Sequence, residues 1–429
     1  MTVRRSTREA LEERFPDLIS ASQPAIGFVE LRYVIDGVSV IVDTSGQPFE
    51  MEDQRNWSDA SYKSYAQTFG FPHAYKVNAG EVVEHRLILT VSGGGVRPQS
   101  GAETPTLVFV IPDDPQELTQ AIDELSSQLM QLSVRPDHVF ALPAAYLKSF
   151  QPDGPWPASA RPSDAIAAAR RAFPSARIGG GSLTNFTELN RRRPDPTEID
   201  YLTHGSTAIV HASDDASVFQ TLETLPDIFR SATQLAPGKA YRLGLISIGM
   251  RGNPYGAGLS PNPERLRRTM CAEDPRAQSL FGAAWLVGVA TAAERGGREL
   301  LTLAGAGGPF AVTSATSSLT PAFHVLACLT EMQGGRRLWI VTGDRRLHAV
   351  GVEYGDGARV IFANGSKATS TIICPSGGRA AILDGSAVKA ASLDPEWRKR
   401  ALRRLHGQIE LPPYAVAFLD LETRDGGPR

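Results

Sequence analysis

The side chains best suited to chemistry stand singly, each just beyond an apolar run. Glu188, in TNFTELNRRRP (184–194), is a carboxylate that can act as acid, base or nucleophile. Asn190 and Arg191 beside it can orient a substrate carboxylate or hydroxyl. A glutamate opening a helix also stabilises its first turn, which is the plainer reading. His211 closes the run STAIVHA, with Asp214 and Asp215 beyond it. It is either a general base near neutral pH or a satisfied core histidine, while one of the two aspartates caps the next helix. Arg251, Asn253 and Tyr255 share the loop SIGMRGNPYG (247–256). There a planar guanidinium and neutral hydrogen-bonding groups can hold an anion or a polyol; the alternative is a plain turn. Tyr146, in PAAYLKSFQPDGPWP (143–157), walls a pocket or packs its own loop.

A second concentration of polar chemistry lies nearer the start, in FEMEDQRNWSDASYKSY (49–65). Carboxylates, a guanidinium, an amide and aromatic rings at this density suit a sugar-like ligand with one apolar face and a rim of hydroxyls. Charges that pair with each other can equally form a rigid corner with a bracing role. Arg55, Asn56 and Asp59 are the groups expected to touch ligand or neighbouring loops.

Composition narrows the classes. The chain has 429 residues, 42% of them hydrophobic and 21% charged, with a net charge of −2. That supports a large core and argues against a binder relying on phosphate neutralisation, so no nucleic-acid partner is expected. No apolar run reaches membrane-spanning length, so no membrane partner is expected either. The start carries charges and no apolar secretory segment, which makes the cytoplasm the expected location. Its Leu11, Phe15 and Leu18 spacing predicts a short amphipathic helix. Three isolated cysteines and unpaired histidines give no metal-ligand spacing, so no metal and no cofactor are expected.

These residues need a scaffold. Runs at 25–45 and 81–91 predict strands, with Asp36-Gly37 as a hairpin turn, giving an N-terminal β-rich domain over 1–91. The Gly/Pro/Ser-rich stretch 92–105 reads as a linker. From 106 to 335 apolar strands alternate with helical segments, six βα units in all. This α/β pattern implies a parallel sheet. The chemistry-prone residues follow the strands, as in a TIM-type (β/α) barrel, although a full barrel needs eight units. A barrel left incomplete exposes two sheet edges, which another chain could cover. Short strands over 336–429 predict a C-terminal sandwich-like β domain.

The stretches FEMEDQRNWSDASYKSY, PAAYLKSFQPDGPWP, GGGSLTNFTELNRRRPD, IVHASDDASVFQTLETL, GMRGNPYG and DPRAQSLFGAAW resemble the D-apionate lactonase family. The resemblance implies a TIM-type barrel between two β domains. It also implies hydrolysis of the lactone of a branched sugar acid in apiose breakdown, with a small sugar acid or lactone as ligand. Lactone opening needs an activated water and support for a developing oxyanion, which assigns Glu188 or His211 to the water and Arg251 and Asn253 to the oxyanion or the acid product. Two alternatives stay open. One is a non-catalytic sugar-acid binding homologue; the other is a glycoside hydrolase, which needs two carboxylates across a pocket and finds only Ala304 and Gly305 after the last strand.

Overall fold

The computed structural model describes residues 1–422 apart from 6–9, 13, 22, 36–37, 46–47, 58–61, 66–85, 91–105, 132–133, 150–159, 295–299, 306–307, 315–317, 356 and 375–376. The expected linker, the Asp36-Gly37 turn and Asp59 lie outside the described residues. The chain divides into two compact units, 1–97 and 98–429.

The first unit is an antiparallel sheet organised by the long strand Ala25–Ile35, which pairs with Thr2–Arg5, Val38–Ser45 and Phe49–Asp53. Val3, Phe28, Leu31, Phe49 and Met51 form its core. The expected N-terminal amphipathic helix is corrected here. Thr2–Arg5 and Ala10–Glu12 are paired strands, because bonding to Ala25–Ile35 satisfies the backbone and buries Val3 completely. Phe15 instead packs edge-on against Tyr33.

The polar stretch forms the sharp corner of this sheet. Arg55 makes a two-pronged pair with buried Asp53, at 2.8 Å from both Nε and Nη2, and Nη2 also donates to the Pro16 carbonyl at 3.0 Å. The Asn56 amide donates to the Ser20 carbonyl at 2.5 Å, and Trp57 Nε1 donates to Glu52 at 3.0 Å. Arg55 and Asn56 are thus engaged in tying the segment 16–20 to the corner. Removing one partner of a buried ion pair strands the other charge and costs about 3–5 kcal/mol. Arg55→Met is therefore expected to weaken the protein by about that much in urea unfolding. A purely ligand-contacting Arg55 would leave stability in place and lower ligand affinity instead.

The second unit opens with a six-stranded, all-parallel sheet in sequential order. Its strands are β1 (Thr106–Ile111), β2 (His138–Pro143), β3 (Arg177–Gly181), β4 (Tyr201–Thr207), β5 (Ala240–Ser247) and β6 (Leu300–Thr302). A helix follows each strand: α1 (Pro115–Gln131), α2 (Pro162–Ala172), α3 (Phe186–Arg191), α4 (Asp215–Leu235), α5 (Leu280–Glu294) and α6 (Pro321–Glu331). Sequential order with one helix per crossover is the winding of a TIM-type barrel. Among the described residues β1 and β6 do not pair, so six units form an open barrel.

Two glycines of β3 set the inner face. A Cβ on Gly179 would sit 2.4 Å from the Tyr201 ring. Gly181 has a φ of +144°, and a Cβ there would meet the Thr203 carbonyl at 1.8 Å. Gly179 therefore lets the Tyr201 ring lie across β3, and Gly181 lets the β4 backbone approach closely.

Helix α5 is apolar on all sides and almost wholly buried, as expected of a helix covered from two directions. It packs against α4 and α6 on one side and the strand Leu347–Tyr354 on the other. That strand belongs to the C-terminal β domain, a six-stranded antiparallel sheet with a separate pair, Ser370–Ile373 with Gln408–Leu411. Among the described residues no helix is long and apolar enough to cross a membrane.

Candidate active site

Loops after β2, β3 and β5 converge at the carboxyl ends of the strands, and Glu188 lies where they meet. Asp113, just past β1, accepts from the Ala145 N–H at 2.7 Å and so fixes the single turn Ala144–Leu147 that carries Tyr146. The loop after β2 is then bonded to the loop after β5. Ser149 N–H donates to the Pro254 carbonyl at 2.9 Å, and Lys148 Nζ reaches the Asn253 and Gly256 carbonyls at 3.2 and 2.5 Å. Asn185 Nδ2, after β3, donates to the Tyr255 hydroxyl at 2.9 Å, and Arg191 Nη1 donates to Ser149 Oγ at 3.1 Å.

Glu188 does two jobs with its two oxygens. Oε2 accepts from the Asn185 N–H and the Thr184 hydroxyl, both at 3.0 Å, which closes the start of α3. Oε1 is buried, and the Ser149 and Tyr255 hydroxyls act on the carboxyl as further donors. Burial pushes the carboxyl above the usual glutamate range, against the opposing pull of the Asn185 N–H, the Ser149 and Thr184 hydroxyls and Arg191. Burial, with the Glu188 charge nearby, also raises Tyr255. Its oxygen accepts from Asn185, and its own proton is directed at the Glu188 carboxyl.

A cavity of about 400 Å³ adjoins Glu188, bordered by Tyr146, Lys148, Ser182, Arg191, Arg192 and Arg193 among others. Tyr146 is buried there, with Arg192 over its ring at 5.0 Å. A second cavity of about 320 Å³ lies against the sheet and is bordered by Tyr201, Thr203, His204, Arg242 and Arg251. Ser182 borders both cavities.

The structure puts Glu188, Tyr146 and Arg191 on the first cavity and Arg251 on the second; Tyr255 lines neither and is bonded to Asn185. Asn253 braces its own loop, accepting from Tyr255 N–H and donating to the Gly258 carbonyl. Asn190 is buried and holds Arg193 at 2.9 Å. His211 borders neither cavity. The expected strand STAIVHA is displaced: β4 spans Tyr201–Thr207, because its register is set by Gly179–Gly181. His211 is therefore exposed, four residues past the strand end. Asp214 caps α4, accepting from the Ala216 and Ser217 N–H groups. Among the described residues no cluster of His, Cys, Asp and Glu is placed to hold a metal ion.

Three polar residues of the barrel interior were not singled out from sequence, Tyr201, Thr203 and Arg242, nor was His204, whose ring lies on the other face of β4 against Phe186 and Tyr241. His204 is fully buried. Its Nδ1 lies 2.6 Å from the Gly205 carbonyl and its Nε2 lies 2.5 Å from the Tyr241 hydroxyl. A carbonyl only accepts, so Nδ1 carries the proton. The available signal was the alternation of 201/203 and 242/244 opposite GGG, which the apolar run AIV at 208–210 obscured.

Comparison with known proteins accords with this architecture. The family model of the D-apionate lactonase TIM barrel domain matches residues 97–334, that of the N-terminal domain residues 1–94, and that of the C-terminal immunoglobulin-like domain residues 344–419. A D-apionate lactonase of Brucella anthropi is 30% identical over 419 residues, a match covering 79% of this chain and 68% of that protein. Similar solved structures include a GH30 endoxylanase from Clostridium papyrosolvens C71, with 10% identity, a TM-score of 0.43 and coverage of 72% of this chain and 71% of that one. An arabinose-bound GH51 α-L-arabinofuranosidase gives 15% identity, a TM-score of 0.44 and coverage of 72% and 51%. Matched across its barrel and both flanking β domains, this chain belongs to the D-apionate lactonase family.

Proposed function

We propose that this protein hydrolyses the lactone of a branched sugar acid, of the D-apionate lactone type, within apiose catabolism in the cytoplasm. The observation that carries the reading is the buried Glu188 carboxyl beside a polar cavity, where three strand-end loops meet. A cavity of that size suits a five-carbon ring. A glutamate carboxylate raised by burial is a stronger base than a solvated one.

In this scheme the Glu188 carboxylate takes a proton from water as the water oxygen attacks the lactone carbonyl. Arg191, on the cavity wall, stands nearby to support the negative charge gathering on the carbonyl oxygen. Collapse of the tetrahedral species breaks the bond to the ring oxygen. That oxygen leaves with the proton held by Glu188, giving an open hydroxy acid and restoring the carboxylate. The arginines along the cavity edge favour an acid product.

The test is acid release from a panel of five-membered sugar lactones in a pH-stat, with aryl glycosides in parallel. Turnover of lactones alone is the expected result. Binding without turnover would replace the reading with a non-catalytic sugar-acid protein, and glycoside cleavage would replace it with a glycosidase.

A further inference from the structure

The cavity against the sheet has a different chemistry from the one beside Glu188. Its described lining residues include two guanidinium groups, Arg242 and Arg251, and no Asp or Glu. Arg242 is 2% exposed, with its guanidinium 5.5 Å from the Tyr201 ring. It stands opposite Thr203 in the register of β4 and β5, so it projects from the sheet into the enclosed interior and not from a mobile loop. A planar fork held rigidly in a low-dielectric pocket is a strong and oriented receptor for a carboxylate. Tyr201, Thr203 and Ser182 add hydroxyl and ring groups around it, which suit a polyol chain.

The two cavities are also joined chemically. Ser182 borders both, and its hydroxyl lies 2.8 Å from Thr184 Oγ1, which donates to Glu188 Oε2 at 3.0 Å. Since the Thr184 proton is directed at Glu188, the Ser182 O–H donates to Thr184, and the chain runs Ser182 to Thr184 to the carboxylate.

We propose that the cavity lined by Arg242 and Arg251 is a carboxylate subsite, which binds the open-chain polyhydroxy acid and makes the acid an inhibitor of lactone turnover. The subsite rests on the lactonase reading only for which acid fills it. Acid binding is measured without turnover, so failure of one does not entail failure of the other.

The experiment is isothermal titration with D-ribonate, a five-carbon aldonate, against ribitol, the uncharged polyol of equal length. Ribonate is expected to bind at least about tenfold tighter than ribitol. Arg242→Gln and Arg251→Gln are each expected to weaken ribonate by about tenfold or more, with ribitol unchanged. Glu188→Gln is expected to keep ribonate affinity. Arg251 is exposed, so its variant preserves the test should Arg242→Gln fail to fold; Arg242→Lys, which keeps the charge and loses the fork, is a further arm and should fall between wild type and Gln. Equal affinity for ribonate and ribitol would overturn the subsite. So would wild-type ribonate affinity in either folded Gln variant.

Discussion

Replacing Glu188 by Gln is expected to lower kcat by on the order of 10²- to 10⁴-fold and, in the same protein, to leave stability unchanged or higher at neutral pH. The amide keeps an oxygen where Oε2 accepts from the Asn185 N–H and the Thr184 hydroxyl, so the start of α3 stays closed. What is lost is a buried charge. Because burial raises the Glu188 pKa in the fold, the native state keeps a proton that the unfolded chain has released. Native stability then falls as pH rises from the ordinary glutamate value to the raised one. The advantage of the Gln variant should accordingly be absent below about pH 4 and open up above it. Activity of the wild type should rise through the same window as the carboxylate forms. Melting temperatures and kcat of both proteins across pH provide the check. A glutamate that only caps its helix would keep turnover, while the stability pattern, which follows from burial alone, would remain.

The second large effect is on folding. Arg276 is 5% exposed. It meets Asp274 through Nε and Nη2 at 2.9 and 2.7 Å and Asp215 through Nη1 at 3.1 Å, with the Phe281 ring beneath it at 5.0 Å. Asp215 also takes Lys367 and Tyr414 from the C-terminal β domain, at 3.1 and 3.4 Å. The cluster therefore joins the start of α4, the loop before α5 and that domain. Arg276→Met is expected to cost about 3–5 kcal/mol in urea unfolding, because the fully buried Asp274 carboxylate loses its guanidinium partner. Burial pulls Asp215 up, but Lys367, Arg276 and Arg267 outweigh it and hold it below the usual aspartate range. Such a group stabilises the fold above its unfolded pKa, and that contribution is lost as pH falls through the lowered native value. The variant should therefore lose most at neutral pH and converge on wild type in acid. An unchanged urea midpoint at neutral pH would sink this assignment.

Local sequence carried the architecture because each βα unit is written in its own residues. An apolar strand, a turn and an amphipathic helix are set by spacing within some thirty residues, and six units were legible as six. Glu188 was visible for the same reason: it follows the GGG strand directly, and that strand's end places it. The N-terminal segment misled because Leu11, Phe15 and Leu18 have helical spacing, yet the backbone partner that makes Thr2–Arg5 a strand lies more than twenty residues away. His211 misled because the apolar run 208–210 was taken as strand. Those residues are indeed buried, but beyond the strand end.

The sequence by itself determined the kind of fold, the order of its elements and the loops that carry reactive groups, since these follow from periodicity and turn chemistry close along the chain. Only the tertiary structure decided which groups share a cavity. The meeting of Ser149, Asn185, Glu188 and Tyr255 depends on loops up to about a hundred residues apart. The placing of Arg242 opposite Thr203 depends on the register of β4 against β5, and the close approach of β4 to β3 on Gly179 and Gly181 giving up their side chains. Both are consequences of close packing between strands, which no local pattern encodes.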